Sequence, residues 1–329
     1  MKILFLTSTG CDNLEDGMLH GFRSLYGADV VDFPKKEVMY KGIPIKEPEK
    51  KYGKLFTIWR NLPDIPVDRM DIEDRVKRKD FDLVIFGSIW RTQPWFKALK
   101  KWLTPKNTFM IDGEDTARIH PSARKFMYFK REFLPKSSYY YRYKLIPPMV
   151  YNRVWLLPQT VQPISFAIPK EKITWGIDRK NKKTLLPQHI VDKEVLEYPA
   201  FKRAMDGNTG HVFDREEDYY KNLQEAKFGV TIKRAGWDCL RHYEIAANGS
   251  VQCFRDLELK HPNCAPHELV GGVNCLTYHN PNDLAEKIDK LSDEHYDTML
   301  TKSYEWVARQ TTEFRADDVL KRFFELSNK

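Results

Sequence analysis

The chain has 329 residues, which is enough for about two domains of ordinary size. Hydrophobic residues make up 42% of the chain and aromatic residues 13%, so it can build buried cores and wholesale disorder is excluded. No apolar run approaches the roughly 18 residues that a transmembrane helix needs. The five cysteines are an odd number without a CxxC pair, which predicts reduced thiols and a cytoplasmic protein.

The net charge of +8 is concentrated in residues 118–153, called the basic aromatic segment below. This segment has nine Lys or Arg residues, one acid and nine aromatic residues, whereas the rest of the chain has 45 basic and 45 acidic residues. Cations mixed with aromatic rings are typical of surfaces that neutralise phosphates and stack bases. The same composition also fits an irregular, partly buried region whose rings are core and whose cations are solvated.

In the first half of the chain, apolar runs alternate with amphipathic segments. The patterns predict strands at 2–6, 28–33, 81–87 and 108–113, with helices at 14–27 and 94–103. The run FDLVIFG at 81–87 is continuously apolar, as expected for a strand that is covered on both faces. This alternation predicts a parallel sheet within an α/β layer.

The second half repeats this alternation. We expect helices at 216–226, 236–249 and 281–292, strands at 227–232, 250–254 and 274–278, and a helical tail from about Asp293. We place the domain boundary just after the basic aromatic segment. The predicted organisation is a first domain at 1–160, a second domain at 161–310, and a C-terminal helix at 311–329 that can cross back to the first domain.

The loop KRAG at 233–236 follows the carboxyl end of a predicted buried strand and precedes a helix. Ligands of open α/β sheets bind outside the carboxyl ends of the strands, and free N–H groups at a helix start favour phosphate. Asp238 is a plausible N-cap of this helix. Arg241 offers a bidentate donor and Glu244 can accept two hydrogen bonds from a ribose diol. Alternatively, Arg241 and Glu244 form an ordinary surface ion pair three residues apart.

The run KFGVTIKRAGWDCLRHYEIAANGSVQCFRDLE at 227–258 resembles the donor-binding region of GT-B glycosyltransferases. More narrowly, it is similar to the spore-maturation-protein-like glycosyltransferase group. Many GT-B enzymes bind the ribose of a nucleotide-sugar through a Glu in a helix of the form E-x-x-A-x-G, and EIAANG places Glu244 at that position. The stretch at 271–292 is similar to the loop, short strand and helix that often follow in GT-B enzymes, and the stretch at 14–33 resembles the opening of the narrower group.

The resemblance implies an α/β protein of the GT-B fold, with two Rossmann-like domains facing a central cleft. It implies transfer of a sugar from a nucleotide-sugar donor to an acceptor that the sequence does not name. We expect neither a cofactor nor a metal. The implied residues of the donor site are Lys233, Arg234, Gly236, Trp237, Arg241 and Glu244.

One departure from the family pattern affects the expected chemistry. Many retaining GT-B enzymes have a second Glu eight residues before the ribose Glu, and this chain has Gly236 there. The stereochemical outcome therefore stays open. A non-catalytic module that binds a sugar nucleotide is an alternative.

An inverting reaction needs a base for the acceptor hydroxyl, and we expect that base in the first domain. The candidates are Asp112, at the end of a predicted strand, and Asp16 and His20 in the first helix. The acidic residues at 112–115 could equally cap a loop. HPNCAPH at 261–267 contains residue types that bind zinc, but it has no sure fourth ligand, so no metal site is predicted.

The position of the basic aromatic segment, directly after the strand that ends at Asp112, predicts that it meets an anionic acceptor. The residues expected to contact such a polyanion are Lys130, Arg131, Arg142 and Lys144. The partner could be nucleic acid, which would make the chain a DNA-modifying glycosyltransferase or a nucleic-acid-binding protein. It could also be an anionic membrane surface that carries the acceptor.

Overall fold

The computed structural model describes residues 1–43, 57–134, 160–202, 207 and 212–327. The chain divides into two compact units. Unit 1 comprises Met1–Pro169, Asn263–Ala265 and Thr312–Lys329, and unit 2 comprises Lys170–Pro262 and Pro266–Thr311. Unit 1 extends beyond the expected boundary near residue 160, because the segment after that residue adds a strand to its sheet.

The described residues form nine strands and ten helices. The strands are β1 (Ile3–Leu6), β2 (Val30–Phe33), β3 (Leu83–Phe86), β4 (Thr108–Asp112), β5 (Met127–Lys130), β6 (Val161–Pro163), β7 (Phe228–Thr231), β8 (Val251–Arg255) and β9 (Cys275–Tyr278). The helices are α1 (Asn13–Tyr26), α2 (Ile72–Lys77), α3 (Gln93–Leu99), α4 (Lys193–Glu197), α5 (Pro199–Lys202), α6 (Glu216–Glu225), α7 (Leu240–Ala247), α8 (Pro281–Lys290), α9 (Asp293–Ala308) and α10 (Thr312–Ser327). Among these residues, no helix has both the length and the apolar character needed to span a bilayer.

The sheet of unit 1 has six parallel strands in the order β2-β1-β3-β4-β5-β6. Successive strands lie on opposite sides of β1, so the chain reverses its direction of winding between β1 and β3. In open α/β sheets the ligand crevice forms at such a reversal, outside the carboxyl ends of the strands. A ligand site in unit 1 is therefore expected at the carboxyl ends of β1, β3 and β4.

Helices cover both faces of this sheet. On one face, Ile72 of α2 and Leu99 of α3 join the core formed by alternate strand residues. On the other face, the ring of Phe22 in α1 lies 5.9 Å from that of Phe5, and the ring of Phe323 in α10 lies 5.2 Å from that of Phe109. Coverage on both faces explains why β1, β3 and β4 are almost wholly apolar.

The C-terminal helix α10 packs against α1 within unit 1. The two helices approach closely because residue 21 is a glycine: a Cβ there would lie 2.0 Å from the carbonyl oxygen of Thr312. The Thr312 amide also donates a hydrogen bond to the carbonyl of Ile168 (3.0 Å). The tail of the chain is therefore part of the core of unit 1.

The sheet of unit 2 has three parallel strands in the order β7-β8-β9. On one face, α8 and α9 contribute Leu284, Tyr296 and Met299 to a core with alternate strand residues. On the other face, Ile245 of α7 packs on Gly229 of β7, where a Cβ would lie 2.7 Å from the Ile245 side chain. Helix α7 thus lies flat on β7 and starts near the carboxyl end of that strand.

Candidate functional site

The loop between β7 and α7 carries exposed cations at the carboxyl edge of the second sheet. Lys233 and Arg234 are both exposed, and Gly236 is buried between them and the helix. The Arg234 amide donates to the carbonyl of Gly236 (3.2 Å), which tightens the loop into a turn. The Lys233 ammonium lies 5.7 Å from the centre of the Trp237 ring, within range of a cation–π contact.

A buried histidine joins this loop to the sheet. His242 of α7 lies with Nδ1 3.1 Å from the Thr231 hydroxyl and Nε2 2.9 Å from the carbonyl oxygen of Trp237. A carbonyl accepts only, so Nε2 carries the proton and Nδ1 accepts from Thr231. The imidazole also stacks on Phe254 of β8, with ring centres 4.7 Å apart. His242 therefore fixes the position of the loop relative to β7 and β8.

Asp238 does not cap α7 as the sequence suggests. The N-cap residue is Cys239, which makes no side-chain capping bond, and Asp238 is buried one residue earlier. Its carboxylate accepts a hydrogen bond from the Tyr243 hydroxyl (3.0 Å). The prediction was wrong because α7 starts one residue later than expected, and the Asp238 carboxylate is engaged by the side chain of Tyr243 in the same helix.

Glu244 is held in place by a tyrosine from a different helix. The Tyr219 hydroxyl of α6 donates to Glu244 Oε2 (2.9 Å), and the Glu244 side chain is half-buried. Burial, and then the charge of Glu244, raise the pKa of Tyr219 well above its usual value, so the phenol remains a donor. Arg241, also half-buried, lies on α7 three residues before Glu244. The fold therefore gathers the predicted donor-site residues on one loop and one helix.

The predicted base Asp112 lies at the carboxyl end of β4 and is fully buried. Its carboxylate accepts hydrogen bonds from the Trp90 indole (3.0 Å), the Glu114 amide (3.0 Å) and the Tyr128 hydroxyl. Lys130, its partner in the strand register, lies 2.9 Å away as an ion pair. Because Asp112 has four partners and no exposed surface, its environment favours a structural role over a role as the catalytic base.

Lys130 and Arg131, predicted to contact a polyanion, are 0% and 1% exposed. Lys130 pairs with Asp112, and the Arg131 guanidinium donates to the carbonyl of Gly113 (2.9 Å) and to the Asp115 carboxylate. Their burial favours a structural role over contact with a polyanion. The other two predicted polyanion residues, Arg142 and Lys144, lie outside the described residues.

Asp16 lies in a buried cluster of two acids and one lysine next to the carboxyl end of β1. The Lys36 ammonium lies 2.6 Å from Glu15 and 2.8 Å from Asp16, and the Ser8 amide donates to Glu15 (2.9 Å). Burial raises the pKa of Glu15 to about 7 and raises that of Asp16, while these two carboxylates raise the pKa of Lys36. One cation thus pairs with two buried acids, and burial favours the protonated form of each acid.

His20, the third predicted catalytic residue, is 1% exposed. Its Nδ1 lies 2.8 Å from the Thr312 hydroxyl, at the contact between α1 and α10. His20 therefore joins α1 to α10.

Among the described residues, one group has the geometry of a possible metal site. Asp256, Glu258 and His279 follow β8 and β9, and hydrogen bonding to Asp256 raises the pKa of His279. All three are half-buried or exposed, and His279 Nδ1 already lies 2.9 Å from Asp256 Oδ1. The sequence also contains one D-x-D triplet, Asp80–Asp82, which precedes β3 at the amino edge of the first sheet.

Sequence reasoning missed Tyr219, His242, Glu15 and Lys36. Tyr219 and Glu244 are 25 residues apart, and Lys36 and Glu15 are 21 residues apart, so no local spacing relates them. The available signal was indirect. Lys36 follows a predicted strand, and Glu15 is in the first turn of the helix that follows another strand. Both positions are expected at the carboxyl edge of a parallel sheet.

No protein-family model matches this chain, and no curated protein sequence matches it. Solved structures do match it over the whole chain. A glycosyltransferase from Rickettsia africae is 12% identical with a TM-score of 0.58, covering 100% of this chain and 99% of that one. Anabaena HepE in complex with UDP is 10% identical with a TM-score of 0.57, covering 100% of both chains.

A third similar structure is an alpha-glucosyltransferase in complex with UDP and a 13-mer DNA that contains a central A:G mismatch. It is 12% identical with a TM-score of 0.51, covering 100% of this chain and 99% of that one. The chain has the GT-B glycosyltransferase fold. The predicted fold class is thereby confirmed.

Proposed function

We propose that this chain is a glycosyltransferase that binds a nucleoside diphosphate sugar at the loop and helix after β7. The observation that carries the proposal is Glu244, in the ribose position of the E-x-x-A-x-G helix, fixed by the Tyr219 hydroxyl at 2.9 Å. The exposed cations Lys233 and Arg234 lie on the same loop. Glu244 can accept hydrogen bonds from the ribose diol, and the cations can bind the phosphates. One loop and the helix that follows it therefore supply both kinds of contact that a nucleotide makes.

The chemistry assigned to these residues is stabilisation of the leaving group. The bond between the anomeric carbon and the diphosphate oxygen breaks, the acceptor oxygen forms the new bond to that carbon, and the acceptor proton passes to the released diphosphate or to solvent. Negative charge develops on the diphosphate, where Lys233, Arg234 and Arg241 act electrostatically. No metal is included in this proposal.

The donor proposed first is a UDP-hexose. HepE forms complexes with UDP and with UDP-glucose, and the alpha-glucosyltransferase forms one with UDP. Placement within the narrower spore-maturation-protein-like group is part of the proposal and depends on the resemblance of the donor region. The five cysteines are all free, which supports the proposed cytoplasmic location.

The acceptor proposed second is DNA. Two observations favour it: the local excess of positive charge in the basic aromatic segment, and the DNA present in one complex of the same fold. The described cations that remain exposed in that segment are Arg118, Arg124 and Lys125. Affinity for duplex DNA that falls steeply with salt would support this acceptor. Binding only to anionic vesicles would support a membrane-borne one.

The proposed function is tested with a panel of nucleoside diphosphates and nucleotide-sugars. A ligand at 100 times its dissociation constant should stabilise the fold by about 2.7 kcal/mol, which thermal shift detects. The stabilising nucleotide-sugar is then incubated with the enzyme and candidate acceptors, and release of the nucleoside diphosphate is measured. Binding without hydrolysis or transfer would identify a non-catalytic module, and absence of any nucleotide binding would refute the proposal.

A further inference from the structure

A pocket of about 700 Å³ lies in unit 2, beside β9 and between α8 and α9. This volume is typical of sites for small organic ligands. Its floor is apolar, with Leu276 of β9, Leu291 after α8 and Met299 of α9. A cavity of this size with an apolar floor has room for the hydrocarbon part of a ligand.

The rim of this pocket is positively charged. Lys287, Lys290 and Lys302 line it together with His295, and none of its lining residues is an Asp or a Glu. The described salt-bridge partners of the three lysines, Asp283, Glu286 and Glu305, lie on the same helices outside the lining. The pairs of Lys290 and Lys302 are exposed, so they contribute little free energy and leave these two ammonium groups available to an anion.

The pocket is separate from the proposed donor site. Helix α8 starts directly after β9, at the carboxyl edge of the sheet, and runs back towards the amino edge, where Lys290 and Leu291 lie. The donor residues follow β7, which is at the other end of the three-strand order. A ligand could therefore occupy this pocket without contacting the loop at 233–236.

The turn before β9 is also apolar. Val270 and Val273 in this turn are 51% and 48% exposed, and Val273 lines the pocket. Val273 therefore adds exposed apolar surface to the lining of the pocket. The exposed apolar turn and the acid-free cationic rim are independent observations that indicate the same kind of ligand.

We propose that this pocket binds an amphiphilic anion, with the hydrocarbon chain on Leu276, Leu291 and Met299 and the phosphate or carboxylate head group on Lys290 and Lys302. The charge of the rim selects against cationic amphiphiles, and the apolar floor selects against small hydrophilic anions such as inorganic phosphate. The Lys287 ammonium donates a hydrogen bond to the carbonyl of Thr277 (2.9 Å) on β9. We therefore regard Lys287 as part of the pocket wall and not as a residue that binds the head group.

The test uses decyl phosphate below its micelle concentration, with the full-length protein, in isothermal titration calorimetry. We expect saturable binding of one molecule, with far weaker binding of decyl maltoside and of inorganic phosphate. Lys290→Glu/Lys302→Glu should weaken decyl phosphate binding at least about tenfold, because two attractive charges become repulsive. Thr298→Trp, on an exposed position of the lining, should block the pocket and abolish binding.

The matched control is Lys183→Glu/Lys193→Glu. These two lysines also lie in unit 2, are exposed and pair with acids, but they do not line the pocket. The control should bind decyl phosphate as the unmodified protein does. Equal losses in both double variants, or equal affinity for decyl phosphate and decyl maltoside, would overturn the proposal. Binding to anionic vesicles without binding of monomeric decyl phosphate would also overturn it, in favour of a surface contact with membranes.

Discussion

The carboxyl edges of the two sheets carry polar clusters of opposite character. In unit 1, Asp112 and Lys130 pair with each other and are both 0% exposed. In unit 2, Lys233 and Arg234 are exposed, and Glu244 is half-buried with Tyr219 behind it. Both groups occupy the edge at which α/β proteins bind ligands, yet the Asp112–Lys130 pair is shielded from solvent whereas Lys233 and Arg234 are not.

This difference shows that position in the fold and availability to a ligand are separate properties. A charged residue at the end of a strand is a candidate for ligand binding. When the residue opposite it on the neighbouring strand is buried and of opposite charge, the two form an ion pair and neither is available to a ligand. Removing one partner of such a buried pair leaves an uncompensated charge, so its main effect is on stability. An exposed charge at the same edge has its main effect on ligand affinity.

The largest expected effect is on the stability of unit 1. Asp112→Ala leaves the Lys130 ammonium buried without its carboxylate, and should lower the free energy of unfolding by about 3–5 kcal/mol. Chemical denaturation followed by circular dichroism measures this change. The double variant Asp112→Ala/Lys130→Met should recover much of the loss, because it removes the unpaired charge. Loss of turnover with unchanged stability would instead identify Asp112 as the catalytic base.

The buried acid Glu15 should make unfolding depend on pH. Its pKa in the folded protein is raised from 4.5 to about 7, so the folded state binds the proton more tightly than the unfolded state. This contribution to stability is fully present below pH 4.5 and is lost as pH rises through 7, by up to about 3 kcal/mol. Denaturation curves of Glu15→Gln between these pH values should lack that decline. An identical pH profile in the variant would contradict the assignment.

The variant Glu244→Gln should weaken nucleotide binding by about 1.5–3 kcal/mol, because the diol loses hydrogen bonds to a charged acceptor. Calorimetric titration with UDP measures the change, and thermal unfolding should be nearly unchanged. Glu286→Gln, an exposed acid of the same unit on α8, is the control and should bind UDP normally. Unchanged affinity in Glu244→Gln would mean that Glu244 does not bind the nucleotide and that its contact with Tyr219 is structural.

A smaller effect is expected from Tyr219→Phe, which removes the hydroxyl that orients Glu244 and should reduce UDP affinity by about 0.5–1.5 kcal/mol. If Tyr219 acts through Glu244, the double variant Tyr219→Phe/Glu244→Gln should bind UDP no more weakly than Glu244→Gln alone. Tyr220→Phe, a buried neighbour on α6, is the control. Additive losses in the double variant would mean that Tyr219 contributes by another route.

Much of the fold could be predicted from the sequence because buried parallel strands are continuous apolar runs. The runs at 81–87 and 108–113 became β3 (Leu83–Phe86) and β4 (Thr108–Asp112), and KFGVTI became β7. The strand β5 was missed. Its residues Met-Tyr-Phe-Lys lie in the basic aromatic segment. The strand ends at Lys130, and a lysine is not expected in a buried strand.

The residues of the proposed donor site could be placed on the fold from the sequence because they are close together in the chain. One loop and one helix supply Lys233, Arg234, Arg241 and Glu244, so local spacing brings them together. The polar clusters of unit 1 depend on pairings between strands and helices that are distant in sequence. Local patterns do not reveal that Asp112 faces Lys130 across a strand pair.

The central claim is that the nucleotide binds at the loop and helix after β7 and not at the equivalent edge of unit 1. Photo-crosslinking with 5-azido-UDP, followed by peptide mapping, tests it most directly. We predict UDP-competable labelling confined to the peptides that span residues 231–244, and loss of that labelling in the double variant Lys233→Ala/Glu244→Gln. Labelling that UDP competes away at residues 7–16 or 112–118, and that the double variant leaves intact, would contradict the claim.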